Sequence, residues 1–113
     1  MSCLFCQIAS GEISAIVVHK AEGVTAFRDI APQASTHVLI IPDRHIDGAD
    51  AMAASDEALV GKLIHVAAEI ARVEGIAERG YRLVINQGRD AGQTVDHLHL
   101  HLLGGGPLHT PLV

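Results

Sequence analysis

The chain has 113 residues, 49% of them apolar, which suits a single domain spanning residues 1–113 and leaves no tract polar enough for a disordered tail. A formal charge of −5 at neutral pH argues against general binding to nucleic-acid backbones, so an anionic ligand would have to be small and held locally. The apolar runs are too short to span a bilayer, and no charged leader with an apolar h-region precedes Cys3, so a cytoplasmic location is expected.

In chain order, Ser2 is read as the cap of a short helix over Leu4–Ala9 that Gly11 ends. Cys3 and Cys6, the two cysteines of the chain, fall within this segment at C-x-x-C spacing. In a reducing compartment that spacing suggests a metal or redox pair before a structural disulfide. Ile16–His19 and Gly23–Arg28 read as two strands around the turn Lys20-Ala21-Glu22. His37–Ile41, closed by Pro42, is a third strand, apolar on both faces for most of its length, as a central strand would be.

Leu59, Leu63, Val66, Ile70 and Val73 recur at alternating intervals of four and three, the stripe of an amphipathic helix. Ser55 is read as its N-cap, with Asp56 and Glu57 in the first turn and Gly75 as the stop. Tyr81–Asn86 is a fourth strand, the glycine-containing loop Gln87–Thr94 follows, and Asp96–Leu103 is the fifth. This order predicts an α+β fold: a five-stranded, mainly antiparallel sheet with one long and one short helix on one side.

The strongest chemical signal is His97-Leu-His-Leu-His-Leu-Leu103. Alternate residues of a strand share a face, so His97, His99 and His101 point one way and Leu98, Leu100 and Leu102 the other. Neutral imidazole is a nucleophile and base near pH 7, and imidazolium binds phosphate oxygens. Two other readings fit the residues alone: an amphipathic strand whose polar positions happen to be histidine, and a metal-binding strand, since H-x-H is also a zinc pattern.

The run from His97 to Leu103 meets the signature of the histidine triad family, H-φ-H-φ-H-φ-φ with φ apolar. The resemblance extends along most of the chain and is closest to the Hint-type branch. It is carried by Phe5-Cys-Gln-Ile8, Phe27-Arg-Asp-Ile-Ala-Pro-Gln33, Thr36–Pro42, Arg44-His-Ile46, Gly80-Tyr-Arg82, Asn86-Gln-Gly88 and Gly92-Gln-Thr94. It implies a homodimer that binds purine nucleoside monophosphates (AMP or GMP) and hydrolyses nucleoside 5′-phosphoramidates.

By position, His99 resembles the nucleophile that becomes transiently nucleotidylated. His101 resembles a phosphate-oxygen ligand and proton donor, and His37 a further member of the site. Gln93 and Thr94 resemble the pair that contacts phosphate and leaving group, Asn86 the side chain that fixes the phosphate region, and Asp29 the carboxylate that takes both ribose hydroxyls. Phe5, Ile8, Ile13, Phe27 and Ile30 would wall the base pocket. Read without the resemblance, Asp29 is a turn residue ahead of Pro32, and Asn86 a turn cap at a strand end. The implied double displacement requires no catalytic metal.

Some bacterial relatives with the same N-terminal C-x-x-C hold a structural zinc, which here would take Cys3, Cys6, His45 and His97. A free reduced pair and a redox couple are the other readings of the cysteines. Thr94 stands where many relatives have Ser, and Thr110 where eukaryotic relatives have Trp, so acceptor specificity is open. His19, His65 and His109 match no motif, and His65 is read as an ordinary helix residue. Two further functions share the triad: a dinucleoside polyphosphate hydrolase or nucleotidyl transferase, and a non-enzymatic nucleotide-binding adaptor. Turnover of phosphoramidates against diadenosine polyphosphates separates the first, and trapping of a nucleotidyl-histidine the second.

Overall fold

A computed structural model describes residues 3–109, so the expected cap Ser2 and the tail position Thr110 lie outside the described residues. The first helix, α1, runs over Leu4–Ser10 and is capped by Cys3, whose Sγ accepts from the Cys6 amide at 3.4 Å. Gly11 ends it in the left-handed conformation, at φ 85°. Two strands follow, β1 (Val17–Ala21) and β2 (Val24–Arg28). The turn between them is Glu22-Gly23, not Lys20-Ala21-Glu22: both residues have positive φ, 53° and 81°, as a two-residue hairpin of the right twist requires.

Next come β3 (Thr36–Pro42), the long helix α2 (Glu57–Val73), β4 (Tyr81–Val84) and β5 (Leu100–Gly104). Every residue of β3 is buried, as its place in the sheet order β1-β2-β3-β5-β4 explains, and each pairing in the sheet is antiparallel. The N-cap of α2 is Asp56, not Ser55. A 3-10 turn over Ala54–Asp56 precedes the helix, and the Asp56 carboxylate accepts from the Ala53 amide at 2.8 Å while pairing with Arg44. At the other end the Gly75 amide bonds Arg72 O and the Ile76 amide bonds Ala71 O, a Schellman stop that buries Ile76. Arg28 clamps this end to β2 through two 2.9 Å hydrogen bonds to Glu74.

The helices lie on opposite faces of the sheet, contrary to the one-sided packing expected. Val24, Ala26, Val38, Ile40, Leu98, Leu100 and Leu102 pack with Leu63, Val66, Ala67 and Ile70 of α2. Phe27, Leu39 and Ile41 pack with Phe5 and Ala9 of α1. Alternation along β2 and β3 puts apolar residues on both faces, and each face needs its own cover. No helix among the described residues is long and apolar enough to cross a membrane.

Candidate active site

The histidine run enters the sheet later than its pattern suggests. The β5 ladder begins at Leu100, because β3 is closed by Pro42, which has no N–H to extend it. The carbonyl of Pro42 is instead taken by the ring of His97, at 2.8 Å from Nε2, and the Leu98 amide bonds Ile46 O at 2.7 Å. Alternation survives this change. Leu98, Leu100 and Leu102 enter the α2 core, while Phe5 of α1 meets His97 and His99 edge-on, with ring centroids 6.0 and 5.1 Å away.

Each ring's hydrogen bonds fix its tautomer. The His97 carbonyl can only accept, so the His99 Nδ1 that lies 2.7 Å from it carries the proton, and the lone pair of His99 is on Nε2. The Gln33 amide donates to Nδ1 of His37 at 3.0 Å, so neutral His37 carries its proton on Nε2. That Nε2–H faces His101 Nδ1 at 2.9 Å, which places the remaining proton of His101 on its Nε2. The result is one lone pair on His99 beside one N–H donor on His101, with ring centroids 5.0 Å apart. Burial holds the His101 pKa down to about 4, helped by repulsion from His99 and His37, and burial also lowers His37 against the attraction of Asp29.

This shift has a measurable consequence. An unfolded histidine titrates at about 6.5. As pH falls below that value the unfolded chain takes up a proton that folded His101 refuses, and refusal persists down to about pH 4. Stability from this group is therefore full above about 6.5 and is lost as pH falls through that window. Urea midpoints across pH 7 to 4 should decline, and His101→Asn should flatten the decline; an unchanged slope would refute the assignment.

Asp29 serves two ends. Its Oδ1 accepts from the Ala31 amide at 2.8 Å, the turn contact expected before Pro32, and its Oδ2 lies 3.5 Å from His37 Nε2. Phe5, Ile8 and Phe27 gather in the apolar cluster on the α1 face, whereas Ile30 is 100% exposed and Ile13 does not join the cluster. Asn86 sits half-buried just past β4, and Thr94 is exposed. The Gln93 amide is committed to the backbone: Oε1 accepts from Gly88 N–H at 2.8 Å, and Nε2 donates to Asp47 O at 2.8 Å and Val95 O at 3.1 Å. On α2, His65 is exposed and lies 3.8 Å from Glu69, as an ordinary surface residue.

Cys3, Cys6, His45 and His97 form a second cluster, their donor atoms all within 4.8 Å of one another. His97 Nδ1 lies 3.3 Å from Cys3 Sγ and 3.5 Å from Cys6 Sγ, and His45 Nδ1 lies 3.3 Å from Cys6 Sγ. Both rings spend their Nε2 proton elsewhere, His97 on Pro42 O and His45 on Asp47 Oδ1 at 2.6 Å, so both Nδ1 lone pairs face the sulfurs. These spacings approach the edge of roughly 3.5 Å that a tetrahedral ion with ordinary Zn–S and Zn–N bonds would set. The cluster is able to hold a metal. Asp29, His37 and His101 also lie close together, but the Gln33 amide on His37 Nδ1 keeps the proton on Nε2, and that group favours a hydrogen-bonded relay.

Residues 10–108 match the family model described as the HIT domain. The chain belongs to the HIT family. It is 51% identical over 105 residues to the purine nucleoside phosphoramidase of Escherichia coli K12, covering 93% of this chain and 88% of that protein. Among solved structures, a HIT family hydrolase from Legionella pneumophila superposes with a TM-score of 0.94 at 48% identity, covering 97% of this chain and 98% of that one. A histidine triad protein from Clostridium difficile gives 0.95 at 37% identity, covering 98% and 96%. The one short and one long helix and the five-stranded antiparallel sheet were legible in the sequence, whereas the placing of the helices on opposite faces was not. Asp47 was not singled out, although its place two residues after His45 is the signal that would have found it.

Proposed function

We propose that this protein hydrolyses purine nucleoside 5′-phosphoramidates through a nucleotidyl-histidine on His99. The observation that carries the reading is the tautomer of His99, whose Nδ1 proton is held by the His97 carbonyl so that Nε2 offers its lone pair. The similarity to a purine nucleoside phosphoramidase supports the substrate class, and AMP or GMP would be the nucleotide product.

In the proposed reaction, His99 Nε2 attacks the α-phosphorus in line and the P–N bond breaks. His101 binds a non-bridging oxygen through Nε2–H. The incoming phosphate anion offsets the desolvation that keeps this ring neutral, so the ring takes up a proton from solvent as substrate binds, and the resulting imidazolium gives its Nε2 proton to the departing amine. Water then attacks the phosphohistidine and returns a proton to His101, releasing the nucleotide. His37 holds the His101 ring in position, Asn86, Gln93 and Thr94 border the phosphate and leaving group, and Asp29 takes the ribose hydroxyls. Phe5, Ile8 and Phe27 wall the base, with Ile13 and Ile30 at its margin.

The Cys3, Cys6, His45 and His97 cluster is assigned a structural zinc, which would pin α1 and with it Phe5. Free thiols suit a cytoplasmic setting. A homodimer is assigned on the edge position of β4, where a second copy would extend the sheet beside the exposed Ile85.

Turnover of adenosine 5′-phosphoramidate well above that of diadenosine polyphosphates tests the substrate class; the reverse preference would reject it. Asp29→Asn should raise KM for ribonucleotide substrates and change 2′-deoxy substrates much less. A charged acceptor is worth roughly 1.5–3 kcal/mol per hydrogen bond, or about tenfold or more in KM. Equal effects on both substrate types would reduce Asp29 to its turn contact with Ala31.

A further inference from the structure

We infer that Asp47 is a positioning residue that ties the Cys3–Cys6–His45–His97 site to the loop 87–94 beside the triad. The inference rests on the metal assignment proposed above. Asp47 reaches both sites with different atoms. Its carboxylate accepts from His45 Nε2–H at 2.6 Å, which fixes the tautomer that turns His45 Nδ1 toward Cys6 Sγ at 3.3 Å. Its carbonyl accepts from the Gln93 side chain at 2.8 Å.

The contact between the two segments does not end there. The Asp50 amide donates to Gln87 Oε1 at 2.8 Å, and Gln93 Oε1 accepts from the Gly88 amide at 2.8 Å. Gly48 leaves room for both glutamine side chains, since a Cβ there would stand 2.5 Å from Gln87 Oε1 and 3.2 Å from Gln93 Nε2. Segment 47–50 and loop 87–94 are thus clamped together by the side chains of two glutamines. A ligating histidine whose second nitrogen is held by a carboxylate binds metal more firmly, because the ring pays no reorientation entropy and gains basicity. Loading of the cluster holds His45, His45 holds Asp47, and Asp47 sets where Gln93 and the backbone N–H groups of the loop stand.

Two readouts test this, neither of them turnover. In zinc competition against a chromogenic chelator, Asp47→Ala should lower affinity about 10- to 100-fold, with Asp47→Asn between it and wild type. In hydrogen exchange of the full-length protein, chelation of the metal should speed exchange of the Asp50 and Gly88 amides, while amides in the middle of α2 stay protected. Wild-type protein that binds zinc, paired with an Asp47→Ala variant of equal affinity or with loop amides blind to the metal, would overturn the inference and leave the metal assignment standing. Wild-type protein that takes up no zinc would overturn both.

Discussion

Replacing His99 by alanine is expected to lower kcat by at least about 10⁴-fold while nucleotide affinity changes by less than about tenfold. The two effects separate because they belong to different groups. In the proposed reaction the covalent bond is made by His99 Nε2, whereas the nucleoside would be held by Asp29 and by the apolar wall of Phe5, Ile8 and Phe27 in both ground and transition states. His99 is 6% exposed and packs edge-on against Phe5, so a small cavity in that wall is the principal structural cost. Single-turnover kinetics with an adenosine phosphoramidate, and calorimetry with AMP, measure the two quantities. His101 substitution should slow the reaction less, since water can partly replace a lost oxygen ligand. Retention of more than about one part in a thousand of kcat by the His99 variant would remove it as nucleophile.

The second large effect is expected from Cys6→Ala. Wild-type protein purified without a His-tag or chelator should carry close to one zinc per chain, and the variant should lose it. Cys6 Sγ stands next to both His45 Nδ1 and His97 Nδ1, at 3.3 and 3.5 Å, so its removal takes the ligand that bridges the two rings. Free energy from a structural zinc is folding free energy, and in a domain of this size each 1 kcal/mol moves Tm by roughly 4–8 °C, so a fall on the order of 10 °C or more is expected. His97 is 0% exposed, and its carbonyl holds the His99 ring, so loss of the metal should also loosen the triad. Zinc content near zero in reduced wild-type protein would defeat this assignment and leave the role of His99 intact.

The sequence by itself determined the parts that depend on period and composition. Alternation over His97–Leu102 divides imidazoles from leucines whatever the neighbours do, and Leu98, Leu100 and Leu102 are buried as that alternation demands. The spacing of Leu63, Val66 and Ile70 fixed α2, and the apolar run Val38–Ile41 marked β3 as the sheet centre, since burial of both faces favours apolar side chains there. C-x-x-C marked Cys3 and Cys6, whereas His45 and His97 were implied only by the resemblance, and the fold brings the four together. Local pattern could not say where ladders end. Strand β5 is shorter than its alternation because Pro42 closes the partner strand, and the partner's identity is a tertiary fact.

Tertiary structure alone decided the sides and the protons. Alternating apolar residues on β2 and β3 supply two faces, and only the paths of the connections place α1 on one and α2 on the other. The Glu22-Gly23 turn was set by the register of Ala21 with Val24, which composition does not reveal. The chemistry of each histidine depends on a backbone group distant in sequence or aimed by the fold: Pro42 O for His97, Gln33 N–H for His37 and His97 O for His99. A sequence lists identical imidazoles. Which nitrogen of each keeps its proton follows from the donor or acceptor the fold sets against it, and that choice separates the proposed nucleophile and donor from the two rings whose lone pairs face the cysteine sulfurs.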